Sequence, residues 1–109
     1  MTDTLIARAA AEAAKLEPGR LSALMLRHGT LELRWYAPKG TDPQTPHDKD
    51  EVYVVVSGSG YFVRGDERVR FAPGDALFAA AHETHRFEDF SDDFATWVMF
   101  YGPIGGETP

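Results

Sequence analysis

The chain has no cysteine. Disulfide frameworks, thiolate metal sites and thiol nucleophiles are therefore excluded, and with them zinc fingers, iron–sulfur proteins, thioredoxin-like enzymes and cysteine hydrolases. Basic charge is also scarce: 11 Lys and Arg stand against 17 Asp and Glu, a formal net charge of −6. Nucleic-acid binders need a basic excess to neutralise phosphate, and an anionic membrane surface repels such a chain, so neither partner is expected. No apolar run approaches the roughly 18 residues needed to span a bilayer. Arg8 and Glu12 interrupt the apolar residues near the start, where an export signal would be continuous, so a cytoplasmic protein is expected. What remains is 109 residues, 43% hydrophobic and 26% charged, the balance of one globular domain.

Residues 1–18 read as an N-terminal helix. Alanine, the best helix former, fills its middle; Thr2 or Thr4 is placed to cap it, and Pro18-Gly19 to stop it. Ile6, Ala10, Ala13 and Leu16 form a weak apolar stripe that predicts packing on a sheet or a second subunit. From residue 20 the texture changes to short strand-like runs: 21–26, 31–36, 52–56, 61–64, 68–71, 76–80, 85–90 and 95–101. Gly, Pro and Asp punctuate them, as in Gly65-Asp66 and Pro73-Gly74-Asp75, and His28 falls in a predicted turn. Val52–Val56 is an unbroken β-branched and aromatic run, suited to a strand buried on both faces or at a sandwich core. The pattern predicts an all-β sandwich or barrel over 20–101 and an irregular tail over 102–109.

Chemically active groups gather in two places. One stretch, Gln44-Thr45-Pro46-His47-Asp48-Lys49-Asp50-Glu51, leads into the apolar run. The other is Pro73-Gly74-Asp75 followed by Ala80-Ala81-His82-Glu83-Thr84-His85. Imidazole with carboxylate suits Zn, Fe, Mn, Ni or Cu. His47 and Glu51 share a face if the chain between them is extended, and a turn at residues 48–50 would also bring them together. An inward Glu51 on so apolar a strand is costly unless paired, protonated or metal-bound. Tyr53 has the parity of Glu51, which aims its hydroxyl toward the same space. Gly58-Ser59-Gly60 lacks the third glycine and following helix of a dinucleotide fingerprint.

These two stretches resemble the cupin superfamily. His47 stands in the second-His slot of its first motif, with three residues between it and Glu51, and six residues separate Glu51 from Gly58. Pro73-Gly74-Asp75 opens the second motif and His85 takes its His slot. The resemblance is to a small single-domain cupin of the cupin 2 conserved-barrel type. It implies an all-β double-stranded β-helix, the cupin or jelly-roll barrel, with a short N-terminal α-helix and a homodimeric assembly. It also implies a divalent metal ion (Fe, Mn, Ni or Zn) held by His47, Glu51 and His85. Thr45 occupies the first-His slot, where a hydroxyl is a poor ligand, so Gln44 beside it is the candidate fourth. His82 and Asp89 replace a Gly and an Asn of the second motif; His tolerates the left-handed backbone such a Gly slot demands. Tyr53 and His82 are the candidate catalytic residues. The expected function is a metal-dependent enzyme, dioxygenase- or isomerase-like, acting on a small polar molecule. The alternative is a non-catalytic small-molecule-binding or sensor barrel with a degenerate metal site.

Overall fold

Alternation along one strand sets the interior. In a computed structural model, which describes residues 3–109, β3 (Asp50–Ser57) turns Glu51, Tyr53 and Val55 inward and leaves Val52, Val54 and Val56 half-buried on the opposite face. The apolar run is thus fully buried on its inner face and half-buried on its outer one. Seven further strands follow the predicted runs closely: β1 (Ala23–His28), β2 (Leu31–Tyr36), β4 (Gly60–Arg64), β5 (Glu67–Phe71), β6 (Ala76–Ala79), β7 (His85–Glu88) and β8 (Ala95–Tyr101). All their pairings are antiparallel, and they form a five-stranded sheet, β1-β2-β8-β3-β6, facing a three-stranded sheet, β5-β4-β7. The result is a jelly-roll-type barrel with a short N-terminal helix. His28 ends β1 instead of lying in a turn, which is confined to Gly29-Thr30 with Gly29 at φ 59°.

Aromatic rings fill the space between the sheets. Phe87 is 2% exposed, with its centroid 4.7–5.5 Å from those of Tyr53, Phe62, Phe71 and Phe94. Gly58, at φ 83°, lets the β3–β4 connection pass against Phe94; a Cβ there would sit 2.5 Å from the Phe94 Cα. Gly58→Ala combines a left-handed-backbone cost of ~1–2 kcal/mol with overpacking of similar size, so a loss of at least about 2 kcal/mol is expected in urea unfolding. A change within about 0.5 kcal/mol would show that this connection has room to move.

The helix departs from expectation. It spans only Arg8–Ala13, its N-cap is Ala7 with no side-chain bond, and it ends before Lys15 rather than at Pro18. Thr4 is exposed and plays no capping part, and Thr2 lies outside the described residues. Alanine propensity alone does not sustain a short helix in water, so its extent is set by what it packs on. That is the outer face of the five-stranded sheet, where Ala11 meets Trp35, Ala23 and Ala95, while Ala10, Ala13 and Leu16 of the predicted stripe stay exposed. Phe78 also lies on this outer face, 43% exposed, and not in the core. The tail is irregular but docked: Asp50, on the outer face and 4% exposed, accepts the Glu107 and Ala81 amides at 2.7 and 2.9 Å. Those two N–H groups hold the Asp50 carboxyl below the usual carboxylate range.

Candidate metal centre

Four segments converge at one end of the barrel. Glu51 enters on β3 between Ala79 of β6 and Phe100 of β8, and His85 is the first residue of β7 in the opposite sheet. His47 comes from the loop before β3, where the chain bends at Asp48-Lys49; the turn, not an extended spacer, joins it to Glu51. One ligand atom from each of His47, Glu51 and His85 falls within 4.8 Å of the others. The second-motif loop holds the first in place, because the His82 amide donates to the His47 carbonyl at 2.7 Å.

The donor atoms are arranged for an electrophile. His85 is 3% exposed, and its Nδ1 donates to the Glu83 carbonyl at 2.8 Å. A carbonyl only accepts, so that bond fixes the tautomer and leaves Nε2 with a lone pair. Nε2 lies against Glu51 Oε1. In this neutral tautomer Nε2 has no proton to give Oε1, and Glu51 Oε2, also fully buried, has no hydrogen-bond partner. Burying such atoms unpaired costs about 1–3 kcal/mol each, and a divalent cation bound between them removes that cost. The His/His/Glu set therefore fits a divalent metal, and is capable of coordinating one.

Gln44 and Tyr53 border the same space. The Gln44 amide nitrogen donates to Asp42 at 2.5 Å, which turns Oε1 toward His47 Nε2 (3.3 Å) and the Tyr53 hydroxyl (3.1 Å). Thr45 is exposed. Tyr53 also donates to Glu51 Oε1 at 2.9 Å, and burial together with that carboxylate raises its phenol well above the ordinary range, so it stays protonated. Asp42, which carries no signal in the sequence beyond a loop-forming Asp-Pro, accepts the Tyr36 hydroxyl, the Gln44 side chain and the Phe87 amide. It is a positioning residue, anchoring the loop to both sheets. His82 takes a left-handed backbone (φ 68°), as its slot demands, but its ring is exposed and outside the converging set. Asp89 is likewise at φ 49°.

The two histidines titrate in opposite senses. Burial pulls both downward; for His85 the adjoining Glu51 outweighs burial and the pKa is raised, whereas His47 is lowered because burial dominates. In metal-free protein the His85 contribution is complete below the unfolded imidazole pKa of about 6.5 and is lost as pH rises through the raised folded value. His47 acts below that point, where stability falls as pH drops through its unfolded value toward the lowered one. Urea unfolding of chelator-treated protein across a pH series is expected to peak near the ordinary imidazole pKa. Metal affinity should rise with pH through the His85 window, because metal and proton compete for Nε2. A flat profile in both measurements would contradict this pairing.

A small cavity of about 40 Å³, bounded by Gln44, His47, Tyr53, Tyr36, Val98 and Phe100, adjoins the cluster. It shares Leu21, Ser22, His47 and Phe100 with an outer cleft of about 400 Å³. Together they provide the open mouth of the barrel. No helix among the described residues is long and apolar enough to cross a membrane.

Comparison with known proteins supports the same reading of the fold. The family model described as "Cupin domain" matches residues 32–101. The chain is 36% identical over 80 residues to the uncharacterized protein SCO3923 of Streptomyces coelicolor, covering 72% of this chain and 76% of that one. It is 33% identical over 67 residues to the HTH-type transcriptional activator RhaS of Yersinia pestis, 62% of this chain but only 24% of that protein. The chain thus spans about a quarter of that regulator. Among solved structures, KdgF from Halomonas sp. superposes with a TM-score of 0.67 at 22% identity, over 83% of this chain and 86% of that one. That last likeness is one of fold.

Proposed function

The chain belongs to the cupin superfamily, and from that premise we propose that it is a metal-dependent enzyme, dioxygenase- or isomerase-like, acting on a small polar molecule. The observation that carries this reading is the convergence of one atom each from His47, Glu51 and His85 within 4.8 Å, with the buried Glu51 Oε2 unpartnered, beside a cavity open to the outside. His47, Glu51 and His85 hold the ion, with Gln44 Oε1 as a fourth, weaker donor; Fe, Mn, Ni and Zn all suit this nitrogen and oxygen set. Such an ion supplies Lewis-acid polarisation of a substrate oxygen or, if redox-active, access to oxygen chemistry. Tyr53 keeps its proton at the edge of the cavity, where the hydroxyl donates to Glu51 Oε1 and turns to a bound oxygen only by leaving that carboxylate. His82 contributes its backbone amide and not its ring.

Loading the protein with Co(II) and adding azide tests whether coordination positions are open. A shift in the visible absorption is expected. An unchanged spectrum would mean a closed, structural site and would sink the catalytic reading.

The likeness to a transcriptional activator favours a second reading, in which the barrel binds a small molecule without turnover. The catalytic reading expects Tyr53→Phe to retain metal and ligand yet lose turnover, whereas a pure binder has no turnover to lose. Assembly as a cytoplasmic homodimer goes with either. Leu33, Val52, Val54, Trp97 and Met99 make the outer face of the five-stranded sheet apolar, and a second copy would cover them. Sedimentation equilibrium showing only 12.1 kDa monomer at micromolar concentration would remove the dimer.

A further inference from the structure

Strand β2 reverses the usual placement of polar and apolar residues. Leu33 and Trp35 lie on the outer face, while Glu32, Arg34 and Tyr36 turn into the barrel, opposite Phe100, Val98 and Thr96 of β8. Arg34 is consequently 5% exposed. A guanidinium this far inside a barrel is costly unless partnered or open to water, and Arg34 is held on one side by the protein and open to the cleft on the other. Nε donates to Glu32 at 2.9 Å and Nη1 to the Ser22 carbonyl at 3.1 Å, but Nη2 has no partner among the described residues. Other arginines differ. Arg64 and Arg68 spend terminal nitrogens on Glu67, Asp89 or the Phe78 carbonyl, and Arg86, which donates to Glu88 through Nε alone, is exposed to solvent.

Arg34 lines the outer cleft that leads to the metal cluster. Arg20 and Lys49 line it as well, against Glu32 and Asp48. Glu32 is already engaged by two guanidiniums, those of Arg34 and Arg27, which hold its carboxyl below the ordinary range despite partial burial. In a chain of net charge −6, the cleft that reaches the cluster carries an excess of one positive charge. Arg34 and Tyr53 both pair with Val98, so two strand spacings, about 10 Å, separate their backbones.

We propose that Arg34 is the anchor of an anion subsite and that the ligand of this barrel is a short carboxylic acid. Its carboxylate sits against the unpartnered Nη2 of Arg34, supported by Arg20 and Lys49, and its other end reaches the space beside His47 and Tyr53. This rests on the metal-site reading for what the far end meets, and on Arg34 alone for the charged end. The unpartnered Nη2 offers a charge-assisted N–H bond to a carboxylate oxygen, and an excess of one charge suits a monoanionic group better than a phosphate dianion.

Isothermal titration of the zinc-loaded full chain with succinate, glutarate and adipate, beside their uncharged diamides, tests this. At least one diacid is expected to bind tenfold or more tightly than its diamide, with an affinity that falls as salt is raised. Arg34→Gln should abolish that preference, and Arg34→Lys, which keeps the charge but not the fork, should reduce it. If Arg34→Gln fails to fold, Arg20→Gln and Lys49→Gln on the exposed rim are each expected to weaken the diacid by about threefold. Diamides that bind as well as diacids, or a preference that survives in folded Arg34→Gln, would overturn the proposal. So would inorganic phosphate binding more tightly than every diacid. Repeating the titration on chelator-treated protein separates the two readings. A charge preference retained there supports the Arg34 subsite even if elemental analysis shows that the chain takes up no metal. Stoichiometric metal with no charge preference leaves the metal centre standing and removes the subsite.

Discussion

His85→Ala protein, purified without an affinity tag, is expected to bind divalent metal at least about 100-fold more weakly than the parent, because it loses one of three strong ligands when disturbing a supporting residue alone costs 10–100-fold. The parent should carry close to one ion per chain by elemental analysis, and the variant little. Physical reasons make this the most damaging single change at the site. His85 is the ligand whose tautomer is fixed by a backbone carbonyl, and it is the one supplied by the three-stranded sheet. Without it the donors come from one wall of the barrel. Thr45→Ala is the matched control: its side chain is exposed, and metal content should be unchanged. Gln44→Ala should fall between, since an amide oxygen is a weaker donor than imidazole. Asp42→Ala should resemble Gln44→Ala, because Asp42 aims the amide. Parent-level metal in His85→Ala would refute the three-ligand site. Metal absent from both proteins, and not regained on reconstitution, would refute the metalloprotein reading altogether.

Phe87→Ala is expected to cost about 3–5 kcal/mol, the usual range for removing a buried aromatic side chain. In a domain of this size that lowers the melting temperature by on the order of 15–30 °C. Phe87 touches rings from both sheets and is 2% exposed, so the void it leaves cannot be filled without moving strands. Its amide also donates to Asp42, which ties the core to the loop carrying Gln44 and His47. Phe87→Leu should recover much of the loss and keep metal content near the parent's. Differential scanning calorimetry of metal-free protein separates the core effect from the metal's contribution. A drop below about 1 kcal/mol would mean that the core collapses around the void.

Two kinds of information were legible at different depths. Turn chemistry and β-branched runs placed all eight strands, with β2 and β8 matching at both ends. The resemblance of the His47–Glu51 and Pro73-Gly74-Asp75…His85 stretches to two family motifs pointed to the three residues that the fold clusters. Left-handed backbone at His82 also followed from its slot. The helix was misjudged in length because propensity is local, whereas a helix of six residues exists only where Ala11 finds Trp35 beneath it.

Local pattern is enough to place the strand segments and most turns, because those properties depend on neighbours a few residues away, whereas grouping His47 and Glu51 with the distant His85 rests on the resemblance to the family's two motifs. Tertiary structure decided which face of each strand points inward. Leu33 and Trp35 look like core residues by alternation, yet this sheet is apolar on both sides. Trp35 is covered on the outer face by Ala11 of the helix, and alternation then turns Glu32 and Arg34 to the inner side at the barrel mouth. It also decided that Gln44, not Thr45, faces His47, since Asp42 turns the amide and is itself held by the Phe87 amide, 45 residues along the chain. The reason is the same in both cases: a side chain's direction at a site is fixed by partners that only the folded chain brings near.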